Sequence, residues 1–137
     1  MKSRLIALFM FILGGGFYYV LEILWRGYSH WTMFLAGGTC FLSIDALNRK
    51  LSAKTPLWVR CTLGAAIITA VEFVIGCVVN LWAQWHVWDY SRFRFNFMGQ
   101  ICLVYTLIWF FLSAPLIWVT KSLREQLVKI IDKGGNK

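Results

Sequence analysis

The chain has 137 residues, of which 59% are hydrophobic and 18% aromatic, and its mean hydropathy is +0.63. Soluble domains have an apolar share nearer one half, so this composition excludes an ordinary soluble domain and predicts an integral membrane protein. The formal net charge of +8 favours contact with the anionic inner leaflet of a membrane. We therefore expect a lipid bilayer as partner, and not nucleic acid.

Four apolar runs predict four membrane-spanning helices. A span needs about 20 predominantly apolar residues, and Leu5–Leu24, Cys61–Trp82 and Gly99–Val119 meet that length. The run Trp31–Ile44 is shorter, and runs of this length are often re-entrant or interfacial. We predict an all-α membrane protein whose single four-helix domain covers residues 1–120.

The basic residues predict that both termini lie in the cytoplasm. Lysine and arginine collect on the cytoplasmic side of short-loop membrane proteins. With four spans, 11 of the 14 basic residues lie there: Lys2, Arg4, Arg49, Lys50, Lys54, Arg60, Lys121, Arg124, Lys129, Lys133 and Lys137. A re-entrant second segment would place the 49–54 cluster on the wrong side. The expected location is the inner or plasma membrane, in an N-in, C-in arrangement.

The two halves of the domain share a short pattern, which indicates an internal repeat. Two helical hairpins, residues 5–48 and 57–119, would then be parallel repeats related by an axis along the membrane normal. Chance similarity between common membrane residues is the alternative. The matched positions are Leu13, Gly14 and Glu22 with Leu63, Gly64 and Glu72, and Tyr28, Ser29, Gly37 and Cys40 with Tyr90, Ser91, Gly99 and Cys102.

A polar face on the third span is the main candidate for function. Glu72, Gly76, Asn80 and Gln84 are spaced four residues apart and would share one face of a helix. A charged side chain at the bilayer centre costs at least roughly 2.5 to 3.5 kcal/mol, so it usually faces a protein interior or a water-filled cavity. The predicted ion or substrate path comprises Glu72, Glu22, Asn80, Gln84 and Asn96.

Each of these polar residues also has a structural interpretation. Amides and hydroxyls hydrogen-bond between helices in lipid, and Glu72 could be a permanently protonated donor. Glu22 could pair with Arg26 four residues on, and Asp45 with Arg49 in the same way. The alternatives of a path and of helix packing therefore remain open.

The outer loop between the third and fourth spans is a second candidate site. Asp89, Tyr90, Ser91, Arg92 and Arg94 could form the mouth for a ligand or ion. Asp and Ser also cap turns and helix starts, and Asn96 lies where the fourth span needs a cap. Structural capping is the alternative for this loop.

The motifs of several enzyme classes are absent from the sequence. It contains no GxxxxGK[ST] loop, no GxSxG and no HExxH. We therefore predict no catalytic residues, no metal and no cofactor, and a chain that is not an enzyme. Residues 121–137 alternate apolar and charged side chains, which predicts a short cytoplasmic amphipathic helix on the inner leaflet.

One block of residues resembles a known family. The likeness covers chiefly residues 71–110 and extends weakly to Arg26–Ser29 and Gly37-Gly38. The residues that carry it are Glu72-Phe73, Gly76, Trp88-Asp89-Tyr90-Ser91, Asn96, Gly99, Ile101-Cys102 and Trp109. This block resembles the signature of the small CmpB-like membrane proteins, a family described as ABC-transporter type IV permeases. The resemblance implies a permease subunit that needs a separate ATPase, with the basic loop 46–60 as the candidate coupling segment.

Two functions are compatible with these observations. The first is a transporter or permease-type protein, a homo-oligomer because four short helices enclose little space, with carboxylates along a polar interior. The second is a non-transporting membrane scaffold or lipid-interacting protein whose buried polar groups are structural. Carboxylates that lie apart from each other and are hydrogen-bonded by neighbouring residues would favour the scaffold function.

Overall fold

The computed structural model describes residues 1–135, and most of these residues are helical. The four long helices are α1 (Lys2–Arg26), α2 (Trp31–Lys50), α3 (Leu57–Gly76) and α4 (Leu103–Gly134). A π-helical segment, Cys77–Trp82, continues α3. An antiparallel ribbon of β1 (Asn96–Phe97) and β2 (Ile101–Cys102) precedes α4.

Three of these helices are long and apolar enough to cross a membrane: Lys2–Arg26, Leu57–Trp82 and Leu103–Gly134. The second predicted span lies in α2, which is not among the three in the described part of the chain. The C-terminal end of α2, which we call the inner end after its predicted cytoplasmic side, is polar because it carries Asp45, Arg49 and Lys50. The membrane character of the protein is thus supported, while the count of four spans stays a prediction.

Helices α2 and α4 each pack against all three other long helices. Small residues allow the closest of these approaches, because a Cβ atom at Gly37 would lie 2.5 Å from the Cβ of Tyr18 on α1. The most extensive contacts join α1 to α2 and α3 to α4. These are the two predicted hairpins, although their relation as repeats stays a prediction.

Helix α4 is longer than a membrane is thick. Its 32 residues span about 48 Å at about 1.5 Å per residue, against a hydrocarbon core of about 30 Å. Residues 121–134 continue this helix, so the prediction of a separate short amphipathic helix was wrong. The apolar stripe that supported that prediction packs on protein: Leu123, Leu127 and Ile131 lie against a buried cluster that includes Ile6 of α1.

An ion-pair network joins α2 to α4 at the inner end of the bundle. Asp45, only 1% exposed, accepts hydrogen bonds from Arg124 Nε at 2.6 Å and Arg124 Nη2 at 2.5 Å. Arg49 Nε donates to the same carboxylate at 3.2 Å, which confirms the pair expected from their spacing. We call Asp45, Arg49 and Arg124 the inner lock. Asn48 reinforces it by donating to Thr120 Oγ1 at 2.9 Å.

Candidate functional site

The carboxylate of Glu72 on α3 is bonded only by neutral groups. Tyr90 O–H donates to Glu72 Oε1 at 2.8 Å, and Trp109 Nε1–H donates to Glu72 Oε2 at 3.1 Å. Among residues 1–135, the acids in ion pairs are Glu22, Asp45 and Asp132, and no basic nitrogen lies within 4.0 Å of Glu72. Glu72 is therefore a half-buried acid without a compensating charge.

Tyr90 and Trp109, which bind this acid, belong to a group of rings that pack on one another, and we call this group the aromatic cluster: Tyr18, Tyr90, Phe93, Tyr105 and Trp109. The rings of Tyr90 and Tyr105 stack with centroids 4.6 Å apart, and Phe93 meets both edge-on at 5.9 and 6.0 Å. Trp109 lies 6.1 Å from Tyr105 and 6.5 Å from Tyr18. These contacts gather side chains from α1, α4 and the outer loop around one carboxylate of α3.

Glu22, the matching acid of the first hairpin, has a different environment. It accepts a hydrogen bond from Tyr18 O–H at 3.1 Å and forms the predicted ion pair with Arg26 on the next turn of α1. The ring of Tyr18 contacts Trp109, the indole that donates to Glu72. The two acids are thus neighbours through an aromatic pair, but only Glu22 has a basic partner.

The outer loop, residues 83–95, is fastened to the bundle by Val87. Asn80 Oδ1 accepts from Val87 N–H at 2.7 Å, while the carbonyl of Val87 accepts from Arg26 Nη1 at 3.1 Å. Asn80 Nδ2 also donates to Gln100 Oε1 at 2.8 Å. Asn80 and Gln100 are buried, with exposures of 6% and 3%. Asn80 therefore anchors the loop, and its donor and acceptor groups both have protein partners.

Gln84 does not share a helix face with Glu72, so this part of the predicted stripe was wrong. The α-helical geometry ends at Gly76, and the wider turns of the π-helical segment 77–82 displace the residues that follow. Gln84 lies beyond that segment, is exposed, and has a backbone φ of 56°. In the sequence the four-residue spacing continues to Gln84, but the backbone beyond Gly76 no longer has the period of an α-helix.

Asn96 does not cap the fourth span, because α4 begins at Leu103 with Cys102 as its N-cap. Asn96 closes the turn of the β ribbon instead: its Nδ2 donates to the Phe93 carbonyl at 2.6 Å and its Oδ1 accepts from Gly99 N–H at 3.0 Å. Gly99 has a φ of 72°, and a Cβ there would lie 2.7 Å from Ser91 Oγ. The predicted start of this span at Gly99 was four residues early.

The five residues of the predicted outer mouth point in different directions. Tyr90 turns inward to Glu72, while Asp89 Oδ1 accepts from Ser91 N–H at 2.9 Å and from Ser91 Oγ at 2.5 Å. The guanidinium groups of Arg92 and Arg94 lie over the rings of their neighbours Phe93 and Phe95, at 5.3 and 5.7 Å. Asp89 and Ser91 thus form the turn that was the alternative interpretation.

Two groups of this loop have perturbed acidity. Hydrogen bonds from the Ser91 hydroxyl and amide lower the pKa of Asp89 below its ordinary value. Burial raises the pKa of Tyr90, and the neighbouring Glu72 carboxylate raises it further. Asp89 is therefore ionised at neutral pH, while Tyr90 keeps the proton that it donates.

The sequence analysis identified Glu72 as a candidate but did not predict most of the residues near it. Tyr18 and Tyr105 were not singled out, and Trp109 entered only through the family resemblance. A usable signal was present, because Tyr105 and Trp109 are four residues apart and share one face of α4. Gln100 gave no such signal, since its burial follows from the turn that precedes α4.

The apolar helices and the acids buried between them define an integral membrane protein. Residues 5–136 match the sequence model of the CmpB family, whose description is "Putative ABC-transporter type IV". The match covers nearly the whole chain, so the protein belongs to this family. No solved structure matches the chain.

Proposed function

We propose that this chain is the membrane-embedded permease subunit of a transport system, with four spans and both termini in the cytoplasm. The family membership, three long apolar helices and the distribution of basic residues support this function. Helix α2 serves as the fourth span because protein, and not lipid, covers much of its polar inner end, where Asp45 is buried against α4.

The observation that carries the proposal is the unpaired acid Glu72. A carboxylate without a cationic partner in a low-dielectric setting either takes up a proton or attracts a cation. The groups facing it are Tyr18 and Glu22 on α1, Cys40 on α2, Tyr90 in the loop, and Tyr105 and Trp109 on α4. None of these supplies a positive charge. Glu72 is accordingly the group of the path that changes its charge.

The hydrogen bonds of Glu72 allow both protonation states. In the ionised form the carboxylate accepts from Tyr90 and from Trp109. In the neutral form the carboxyl O–H donates to the Tyr90 oxygen, while Oε2 still accepts from the Trp109 indole, which can only donate. The hydrogen bond between Glu72 and Tyr90 therefore reverses its donor and acceptor when Glu72 takes up a proton. Tyr90 belongs to the loop on the predicted outer side.

The family description adds partners to this proposal. ATP-driven transport needs a nucleotide-binding subunit, and this sequence has no P-loop motif, so the ATPase would be a separate chain. A single bundle of four helices encloses little space, so the permease would be a homo-oligomer. The inner leaflet side, with the loop 51–56 and the end of α4, is where such an ATPase would bind.

The test is proton flux in inverted membrane vesicles from cells that express the chain, where its ATPase partner is retained, with a pH-sensitive dye enclosed. Flux started by ATP should be lost in Glu72→Gln, which keeps the size of the side chain and removes its charge change. Glu125→Gln is the matched control, because Glu125 is an exposed acid on α4. Equal flux through wild type and Glu72→Gln would refute the role of Glu72.

A second function is favoured by one observation: both acids hold the same loop. Glu72 binds Tyr90, and Glu22 orients Arg26, which binds the carbonyl of Val87. In a non-transporting scaffold these contacts would only join the two hairpins. That function predicts that vesicles with the wild-type chain show the same ATP-started flux as vesicles from cells without the chain, and it predicts a lower melting temperature for Glu72→Gln in detergent.

A further inference from the structure

We propose that one anionic phospholipid of the inner leaflet binds between α3 and α4, with an acyl chain in an apolar groove and its phosphate beside basic residues at the end of that groove. Such binding does not depend on transport by the chain. The groove, which we call the inner groove, has a volume of about 370 Å³ and is lined by Leu57, Trp58, Cys61, Phe110, Phe111 and Ala114.

The packing of α3 on α4 places the inner groove at the predicted inner boundary of the membrane. Two close contacts fix the antiparallel register of these helices: Gly64 with Ser113, and Thr69 with Thr106. This register brings Trp58 to about the level of Trp118, and the two residues are 66% and 69% exposed. Exposed tryptophans are typical of the membrane interface. Phe110 lies about 12 Å from Trp118 along α4, so the groove extends from the interface into the hydrocarbon.

The inner groove has an exposed rim and a buried base. Leu57 and Phe111 at the rim are 57% and 72% exposed, whereas Cys61 at the base is 4% exposed. Cys61 belongs to a buried cluster with Ile44 of α2 and Ile117 of α4. None of the lining side chains is charged, so the walls suit an acyl chain and not a polar ligand.

Basic residues lie at the inner end of this groove. Arg60 fastens the loop between α2 and α3, because its Nε donates to the carbonyl of Thr55 at 3.2 Å and its Nη2 donates to the carbonyl of Ser52 at 2.6 Å. Lys54 belongs to this loop and is exposed. In the register of α3 on α4, the exposed Lys121 lies at about the level of the same loop.

The charges of these residues are not compensated by the protein. Three basic residues near the groove form no ion pair within residues 1–135: Lys54, Arg60 and Lys121. In the same part of the chain, Asp45 and Asp132 are paired with other basic side chains, which leaves Glu125 as the competing acid on the inner side. Basic pockets between membrane helices on the cytoplasmic side bind anionic lipid headgroups. A lipid phosphate therefore matches this end of the groove in charge.

The test is native mass spectrometry of the full chain, released from detergent micelles that contain equal amounts of palmitoyl-oleoyl phosphatidylglycerol and palmitoyl-oleoyl phosphatidylcholine. The two lipids have the same acyl chains, and wild type should retain phosphatidylglycerol preferentially. Lys54→Gln combined with Lys121→Gln should lower this preference by about tenfold or more. The matched control is Lys129→Gln combined with Lys133→Gln, which removes the same charge at exposed positions further along α4 and should keep the wild-type preference.

A change inside the groove tests the acyl chain separately. Ala114→Leu should reduce the retention of phosphatidylglycerol, because the larger side chain fills the groove. Ala70→Leu makes the same change at an exposed position of α3 and should have no effect. A folding defect in Ala114→Leu would imitate the loss, so wild type provides a second measurement. Phosphatidylglycerol with brominated acyl chains should quench its tryptophan fluorescence more than brominated phosphatidylcholine does, and Trp58→Phe combined with Trp118→Phe should remove this difference.

Equal retention of the two lipids by wild type would overturn the site. Equal losses of preference in the two double lysine variants would also overturn it, because they would show only a general attraction to anionic lipid. A dimer that retains no lipid and dissociates in Ala114→Leu would overturn it in favour of a second copy of the chain in the groove. These outcomes are separate from the transport function, which is tested by the flux of Glu72→Gln.

Discussion

Asp45 and Glu72 are two acids in apolar surroundings, and they differ in whether a basic side chain compensates the charge of the carboxylate. Asp45 is surrounded by the guanidinium groups of Arg49 and Arg124. Glu72 receives hydrogen bonds only from a phenol and an indole. Burial alone therefore does not describe the setting of a carboxylate, because Asp45 lies between two cationic side chains while both groups bonded to Glu72 are neutral.

The largest expected effect comes from neutralising the two acids one at a time. Asp45→Asn should lower the free energy of unfolding by about 3 kcal/mol, because it leaves Arg124 partly buried without its countercharge. Glu72→Gln should lower it by about 1 kcal/mol or less, since the amide oxygen can still accept a hydrogen bond. Unfolding by a denaturing detergent in mixed micelles measures both.

The double variant Asp45→Leu with Arg124→Leu is the control for this comparison. Removing both charges should restore much of the stability lost in Asp45→Asn. Equal losses in Asp45→Asn and Glu72→Gln would mean that the two acids are held in the same way.

Asn80→Ala should have the next largest effect, about 2 kcal/mol, because it leaves the buried backbone N–H of Val87 and the Oε1 atom of buried Gln100 without the partners that Asn80 supplies. Gln84→Ala, at an exposed position beyond the π-helical segment, should change stability by less than about 0.5 kcal/mol. Limited proteolysis of the outer loop should report the same difference. Equal cleavage of the two variants would contradict an anchoring role for Asn80.

Tyr90→Phe should cost about 1 kcal/mol, the usual net contribution of one hydrogen bond. The matched control is Tyr28→Phe, at the position that the predicted repeat pairs with Tyr90, whose ring is exposed and lies beside Arg26. The difference in melting temperature between the two variants measures the contribution of the hydrogen bond from Tyr90 to Glu72. Identical melting temperatures would mean that the hydrogen bond from Tyr90 to Glu72 does not stabilise the protein.

The smallest expected effect is the titration of Asp89. Its pKa lies below the ordinary value of 3.8, so the turn gains stability above that pH and loses it as the pH falls through the lowered pKa. Ser91→Ala removes the hydroxyl donor and should raise the pKa of Asp89 toward the ordinary value. Carbon NMR of the Asp89 carboxyl group measures this directly. An unchanged pKa in Ser91→Ala would mean that the hydroxyl bond does not stabilise the charge.

Local pairs were predictable from the sequence, whereas distant ones were not. Glu22 with Arg26 and Asp45 with Arg49 follow from four-residue spacing on a helix. Arg124 is 79 residues from Asp45, and its role depends on how α4 packs against α2. The membrane class was likewise predictable because it rests on composition, and the family match confirmed the resemblance.

Changes of backbone period account for most of the errors at the candidate site. The predicted polar face of the third span extends to Gln84, and the predicted fourth span begins at Gly99, but neither residue spacing nor hydrophobicity records a π-helical turn or a β ribbon. Gly99 did carry information, because a glycine at a positive φ beside Ser91 is typical of a tight turn. Asn96 followed the same turn chemistry and was misassigned to the helix cap.

Pro115 links the two ends of the bundle in a further way. It lies inside α4, between Trp109 of the aromatic cluster and Arg124 of the inner lock, which are about 22 Å apart along the helix. Proline has no backbone N–H, so one hydrogen bond is missing from α4 between these two groups. The contacts of α4 with the rest of the bundle at both of these groups therefore hold a helix whose own backbone bonding is weakest between them.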